Sequence, residues 1–176
     1  MIENMKIKLV PNNILREKSR EVAPEEFGED LDLYMDRMID KMKTLNGVGL
    51  SGIQIGDKRR IIVADIGEGP IKMVNPEILE ESEEKVVFAE MCLSAPGLRL
   101  GVERSESVKV KCLTPLGEPV EGVLTGLEAI VIQHEIDHLN GICLTDRMSN
   151  LKRGMYLKKL KKMLKKLSRQ LKSKNN

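Results

Sequence analysis

The stretch 125-TGLEAIVIQHEIDHLNG-141 decides the reading of this 176-residue chain. Thr125, with Glu128 three residues on, has the form of a capping box. Gly141 suits a helix C-cap, so the spacing predicts a helix over residues 125–140. Inside it lie His134 and His138, the only 2 histidines of the chain. Positions i and i+4 lie one turn apart on one face. Two imidazoles can therefore reach a single cation, and the helix fixes their separation. Glu135 directly follows the first of them and can take a proton from water beside such a cation. The other face carries Leu127, Ile130, Val131 and Leu139 and is expected to be buried. The bland alternative is two chance histidines on a solvated face. Confinement of both to this half-apolar segment argues instead for a metal-dependent hydrolase with His134 and His138 as ligands.

Working outward, residues 24–45 read as a long helix. Pro24 sits near its start with Glu25, Glu26 and Glu29 in the early turns, and Met35, Met38, Ile39 and Met42 recur at helical spacing. Asn46-Gly47 stops it. The segment 47-GVGLSGIQIG-56 follows, where three glycines within six residues imply irregular backbone with close approaches. Short strands are predicted over 60–66, 71–74, 85–89, 108–113 and 120–124, punctuated by 67-GEGP-70 and 114-TPLGEP-119. A last helix is predicted over 146–171. Helix, then strands, then two helices argues for an α+β fold. Its short strands are mainly antiparallel and pack around a central H-E-x-x-H helix, with a long helix in the N-terminal half and a basic helix at the C-terminus.

A catalytic metal commonly takes three protein ligands and leaves one position for water. Beyond His138 the chain has no His or Glu, and its only carboxylate is Asp146. The third ligand is Asp146 or lies upstream. The strongest upstream candidate is Cys92, in 90-EMCLSAPG-97 straight after a predicted strand, because a thiol near a divalent cation loses its proton readily. Cys112, in an alternating strand, and Cys143, just past the helix, read as small buried hydrophobes. On residues alone both candidates stay open. With Asp146 the chain would be a zinc endopeptidase. A third reading is a non-catalytic RNA- or ribosome-binding module that has kept a structural metal.

Three segments in order resemble the peptide deformylase family. Its G-x-G-L-A-A-x-Q is matched by Gly47-Val48-Gly49-Leu50-Ser51-Gly52-Ile53-Gln54. Its E-G-C-L-S is matched by Glu90-Met91-Cys92-Leu93-Ser94. Its Q-H-E-x-D-H-L-x-G is matched by residues 133–141. The similarity runs from near residue 5 to about 165. It implies removal of the formyl group from the N-terminal formylmethionine of new peptides, releasing formate. It also implies one divalent metal ion held by Cys92, His134 and His138, Fe²⁺ in the cell, with Zn²⁺, Ni²⁺ or Co²⁺ able to replace it. Glu135 would pass the proton, and Gln54 and the Leu93 backbone N–H would meet the oxyanion. The peptide would add beside Val48 and Gly49 like an extra strand, with Ile130 and Val131 lining a methionine pocket. Two positions depart from the family. Met91 replaces its Gly at the cleft, where a side chain could narrow the passage, and Ser51-Gly52 replaces Ala-Ala.

Composition bounds the rest. The size and a 41% hydrophobic content suit one domain. No apolar run spans a bilayer, no secretory signal opens the chain, and three separated cysteines do not form a disulfide framework. These features point to the cytoplasm. The net charge of +2 conceals a split: 12 of the 29 basic residues lie from Arg147 onward, where there is no acid, leaving 17 against 27 acids and a charge of −10 before it. Residues 1–150 are expected to form the metallohydrolase domain and 151–176 a basic amphipathic helix and tail. The resemblance implies that this tail meets ribosomal RNA near the exit tunnel. Packing on the body and a membrane-surface role are the other readings of it. No DNA partner is expected.

Overall fold

The computed structural model describes residues 5–174, with side chains through 170. Seven strands and four α-helices follow in the order α1 (Glu29–Thr44), β1 (Gly49–Ser51), α2 (Gly52–Ile55), β2 (Ile61–Ala64), β3 (Ile71–Glu81), β4 (Lys85–Glu90), β5 (Leu100–Ser105), β6 (Ser107–Leu113), β7 (Pro119–Thr125), α3 (Gly126–Leu139) and α4 (Asn150–Lys174). The fold is α+β. Five strands form an antiparallel sheet in the order β1-β2-β3-β6-β7, and β4 pairs with β5 in a separate antiparallel hairpin.

Every residue of β2 is buried, and its two sides face different cores. Ile61 and Val63 pack with Met35, Met38, Ile39 and Met42 of α1. Ile62 and Ala64 pack with Ala129, Ile132, Ile136 and Leu139 of α3. Period-two alternation along β2 thus puts the two helices on opposite faces of the sheet. A third cluster joins Cys92, Leu98 and Val102 to Leu15, Cys143 and Leu160, and so ties the root of α4 to the body.

Several boundaries differ from the sequence reading for local reasons. The helix expected over 24–45 is broken. Pro24–Glu26 form a 3-10 turn closed by the Glu26 carboxylate on the Ala23 N–H at 2.9 Å, and Gly28 then takes φ 133° before α1 begins. Asn46 at φ 54° turns the chain out of α1, as its place before Gly47 suggests. Strand β3 runs well past Val74. Pro76 is carried at a register shift between Val74 and Glu77, beside Asn75 at φ 51°, the setting in which a strand tolerates proline. Strand β5 was not expected, because Gly101, Glu103 and Arg104 mask its alternation. Thr125 is the N-cap of α3 but makes no side-chain cap bond; the Gly126 N–H donates instead to the Glu106 carbonyl at 2.9 Å. The helix expected over 146–171 starts later, after a 3-10 turn at Leu144–Arg147. Among the described residues, no helix is long and apolar enough to cross a membrane.

Candidate active site

Helix α3 is buried over nearly its whole surface, including His134, Glu135 and His138. A helix buried all round is a core element, so its polar groups need partners or a purpose. The two imidazoles meet edge to face, with ring centroids 4.9 Å apart. The Cys92 Sγ lies 3.1 Å from the His138 Nε2. Ligand atoms of Cys92, His134 and His138 all fall within 4.8 Å of one another, and this is the one such cluster among the described residues. A soft thiolate with two imidazoles is a donor set suited to a first-row divalent ion. Burial holds the His138 pKa well below its ordinary value, which favours the neutral, ligating ring.

The sheet edge and the β4–β5 hairpin bring up the remaining groups. Gln54, on the short helix α2, is locked at both ends. Its Oε1 accepts from the Ser51 N–H at 2.9 Å and hydroxyl at 3.0 Å, and its Nε2 donates to the Ser94 hydroxyl at 3.2 Å and points at the Cys92 Sγ at 3.5 Å. Leu93 follows Cys92 in a turn closed by the Ala95 N–H on the Cys92 carbonyl at 3.0 Å, and packs on the Gly47 backbone. The Glu135 carboxylate lies against the backbone of Gly49, where a Cβ would stand only 2.5 Å from Oε1. Its Oε2 is buried without a hydrogen-bond partner among the described residues. Burial, against the field of His134, pushes the Glu135 pKa up to about 7, a value suited to passing protons near neutral pH.

Behind the imidazoles stands a set of residues to which the sequence reading gave no role. The Glu90 Oε2 lies 2.7 Å from the His134 Nδ1. Arg104 grips Glu90 with Nε at 2.7 Å and Nη2 at 3.1 Å, and gives its Nη1 to Asp137 at 2.8 Å. Arg147 reaches the same Asp137 oxygen at 2.8 Å. Burial would raise the Glu90 pKa, but His134 and Arg104 outweigh it and pull the pKa down to about 2. Such a partner fixes ring orientation behind a ligating histidine. The signal for Glu90 was in the motif itself: as the residue two before Cys92 it shares that residue's side of the strand. Arg104 lies on the strand that the sequence reading missed.

Of the remaining expected positions, Val48 and Met91 are exposed, Gly49 is buried against Glu135, and Ile130 and Val131 are buried. Val131 also belongs to the core under α3. Leu127, one turn before Ile130 and Val131, and Phe88, two before Glu90 on the same side of β4, are exposed apolar groups. Asp146 lies apart from the cluster: Arg16 and Arg153 pair with its carboxylate, which also accepts from the Cys143 N–H at 2.8 Å. That disfavours the endopeptidase reading. Cys143 is buried, and its thiol is pushed up to about 11 by desolvation.

Residues 4–154 match the family model described as polypeptide deformylase. The chain belongs to the peptide deformylase family. The peptide deformylase of Thermotoga maritima is 43% identical over 155 residues, covering 88% of this chain and 93% of the relative. That of Fusobacterium nucleatum is 37% identical over 171 residues, covering 97% and 98%. The crystal structure of a peptide deformylase from Legionella pneumophila superposes with a TM-score of 0.85 at 40% identity, covering 93% of this chain and 97% of that one. The protein is therefore an amide hydrolase that removes the N-formyl group from nascent peptides, in a family of metalloenzymes. Gly52, where the family pattern has Ala, has a local cause: a Cβ there would meet the Ile61 side chain at 2.9 Å and the Arg59 carbonyl at 3.1 Å.

Proposed function

We propose that Cys92, His134 and His138 hold one divalent ion, Fe²⁺ in the cell with Zn²⁺, Ni²⁺ or Co²⁺ as substitutes, and that α3 is the catalytic H-E-x-x-H helix around which the strands pack. The observation that carries this is the convergence of those three ligand atoms within 4.8 Å, together with a buried Glu135 carboxylate whose Oε2 has no hydrogen-bond partner among the described residues. When bound, the ion supplies Lewis-acid activation of water and of the formyl oxygen. Glu135 takes the proton of the attacking water and returns it to the departing amine. The locked Gln54 amide and the Leu93 N–H stabilise the oxyanion at no cost in reorganisation.

Strand β1 is the edge of the five-stranded sheet, which supports a peptide adding along Val48 and Gly49. Ile130 and Val131, one turn before the ligands on α3, line the methionine pocket. The test is formate release from formyl-Met-Ala by protein prepared anaerobically with Fe²⁺. Full activity, lost in Glu135→Ala with the metal retained, is expected. Near-zero release by the loaded wild type would refute the assignment.

The enzyme works in the cytoplasm, beside the ribosome that makes its substrate, a reading supported by the lack of any helix among the described residues long and apolar enough to cross a membrane. Residues 1–150 form the deformylase domain and 151–176 the basic helix and tail. The root of that helix packs on the body: Leu160 is buried and the Tyr156 hydroxyl donates to the Pro96 carbonyl at 3.2 Å. From Lys161 onward every described side chain is exposed. This supports contact between the distal lysines and ribosomal RNA near the exit tunnel.

A further inference from the structure

Burial alternates from Ala89 to Cys92, across the end of β4 and into the turn that follows, while Val87 and Phe88 before it are both exposed. Glu90 and Cys92 are buried and face the metal cluster, whereas Val87, Ala89 and Met91 are exposed, Val87 by 73% and Met91 by 72%. Period-two alternation puts these three on one side of the strand. The partner strand leaves that side open at its middle, because Ala89 pairs with Gly101, which has no side chain to lay over it. Val87, opposite Glu103 on that side, leans over Gly101, and Met91 lies just past the strand end beside the ligand Cys92. Met91 is bonded to Cys92 on one side and to Glu90 on the other, so its Cα lies about 3.8 Å from that of a ligand. Its side chain nevertheless stays in solvent. Val48 is also exposed, and it precedes the Gly49 backbone on which Glu135 rests. An exposed thioether has no packing role in the fold, and burying it needs an occupant of the mouth. A peptide whose formyl group reaches the cluster and whose methionine fills the pocket leaves its next residue at this position.

We propose that Met91 is a specificity-determining residue: its side chain covers the residue that follows formylmethionine and favours an apolar one there. This rests on the reading of Cys92, His134 and His138 as the metal site. A flexible, polarisable thioether adapts to apolar surfaces of different shape, and it gives nothing to a carboxylate. The glycine of the family pattern would offer neither contact.

The test compares formyl-Met-Leu-Ala, formyl-Met-Asp-Ala and formyl-methionine amide, which lacks the following residue, on the metal-loaded full chain. In the wild type kcat/KM is expected to favour Leu over Asp. In Met91→Ala the ratio of formyl-Met-Leu-Ala to the amide falls about fivefold, through KM of the peptide. Met91→Leu keeps the ratio. Met91→Gly falls like Met91→Ala, so backbone loosening is separated from side-chain loss. A ratio unchanged in Met91→Ala, or equal losses on the peptide and the amide, would overturn the proposal, as would a fall in Met91→Leu equal to that in Met91→Ala. Failure of the metal-loaded wild type to turn over any of the three would instead overturn the reading of the site.

Discussion

The replacement Gly49→Ala isolates the position of Glu135 from everything else in the site. An added Cβ would stand 2.5 Å from the Glu135 Oε1 and 3.0 Å from its Cδ and Cγ. Ordinary contact begins near 3.4 Å, so the carboxylate must retreat by roughly 1 Å. A flexible side chain on the surface would absorb this cheaply, but Glu135 is buried on a helix buried all round. The strand cannot yield either, since Gly49, Leu50 and Ser51 are buried and paired with Ala64, Val63 and Ile62. A misplacement of about 1 Å costs on the order of 100-fold in rate, or about 3 kcal/mol of barrier. The three atoms nearest the added Cβ all belong to Glu135 and none to a ligand, so metal content is expected to hold at the wild-type value by elemental analysis. The new Cβ points at Glu135 and not at the free strand edge, so KM is expected to change by less than about fivefold. Gly122→Ala, in β7, is the control: its Cβ meets nothing within 4 Å, and Glu135 is untouched. Steady-state formate release gives kcat for each. Retention of kcat within threefold in Gly49→Ala, or loss of the metal along with activity, would refute the role assigned to Glu135.

Three further outcomes follow from the same geometry. Cys92→Ser is expected to abolish stoichiometric metal binding while Asp146→Asn preserves it; the reverse would restore the endopeptidase reading. Burial would raise the Asp146 pKa, but Arg16 and the Cys143 N–H overcome this and hold it low. Its stabilisation is therefore complete above the ordinary Asp value of about 3.9 and is lost as pH falls through the folded value. Asp146→Asn should flatten that acid limb in denaturation curves. Arg104→Met leaves Glu90 and Asp137 without their shared cation, at about 3–5 kcal/mol or roughly 10 °C in Tm, with metal affinity about 10- to 100-fold weaker; unchanged melting and metal affinity would remove Arg104 from its supporting role. Replacing Lys165, Lys166 and Arg169 by Gln is expected to lower the slope of log ribosome affinity against log salt by about 2, with hydrolysis of formyl-Met-Ala unaffected. An unchanged slope would exclude RNA contact by this helix.

How much of this was legible in the sequence depends on the range of each signal. The two histidines and Glu135 share one helix, so a four-residue spacing sufficed. Cys92 stands 42 residues before His134 in the sequence, and no periodicity links them; residues alone left it level with Asp146. Strand β2 was readable because it is uniformly apolar. Strand β5 was not, because Arg104 is buried there for electrostatic reasons and reads in sequence as a surface charge. The break before α1 turned on one side-chain bond, Glu26 to the Ala23 N–H, that competes with helix continuation. The Gly49 contact with Glu135 was invisible as well: glycine content announced a close approach but not what approaches.

That division has a physical origin in how the site is held. The helix supplies ligand spacing cheaply, yet a bare imidazole can still rotate. Glu90 removes that freedom for His134, and it sits buried only because Arg104 neutralises it bidentately. Arg104 in turn needs Asp137, one turn along α3 from His134, so the network closes on the helix that carries the ligands. Asp137 has a second claimant in Arg147, in the short turn leading into α4. A buried polar network is an asset only when each member is satisfied. Here every link from His134 to Arg147 is made within hydrogen-bonding distance. His138 has no such backing, since its Nδ1 is buried without a partner among the described residues. The two histidines are therefore not equivalent. His134 is oriented by ion pairs that reach the root of the C-terminal helix, whereas His138 meets the Cys92 Sγ through its Nε2 and otherwise relies on the packing around its ring.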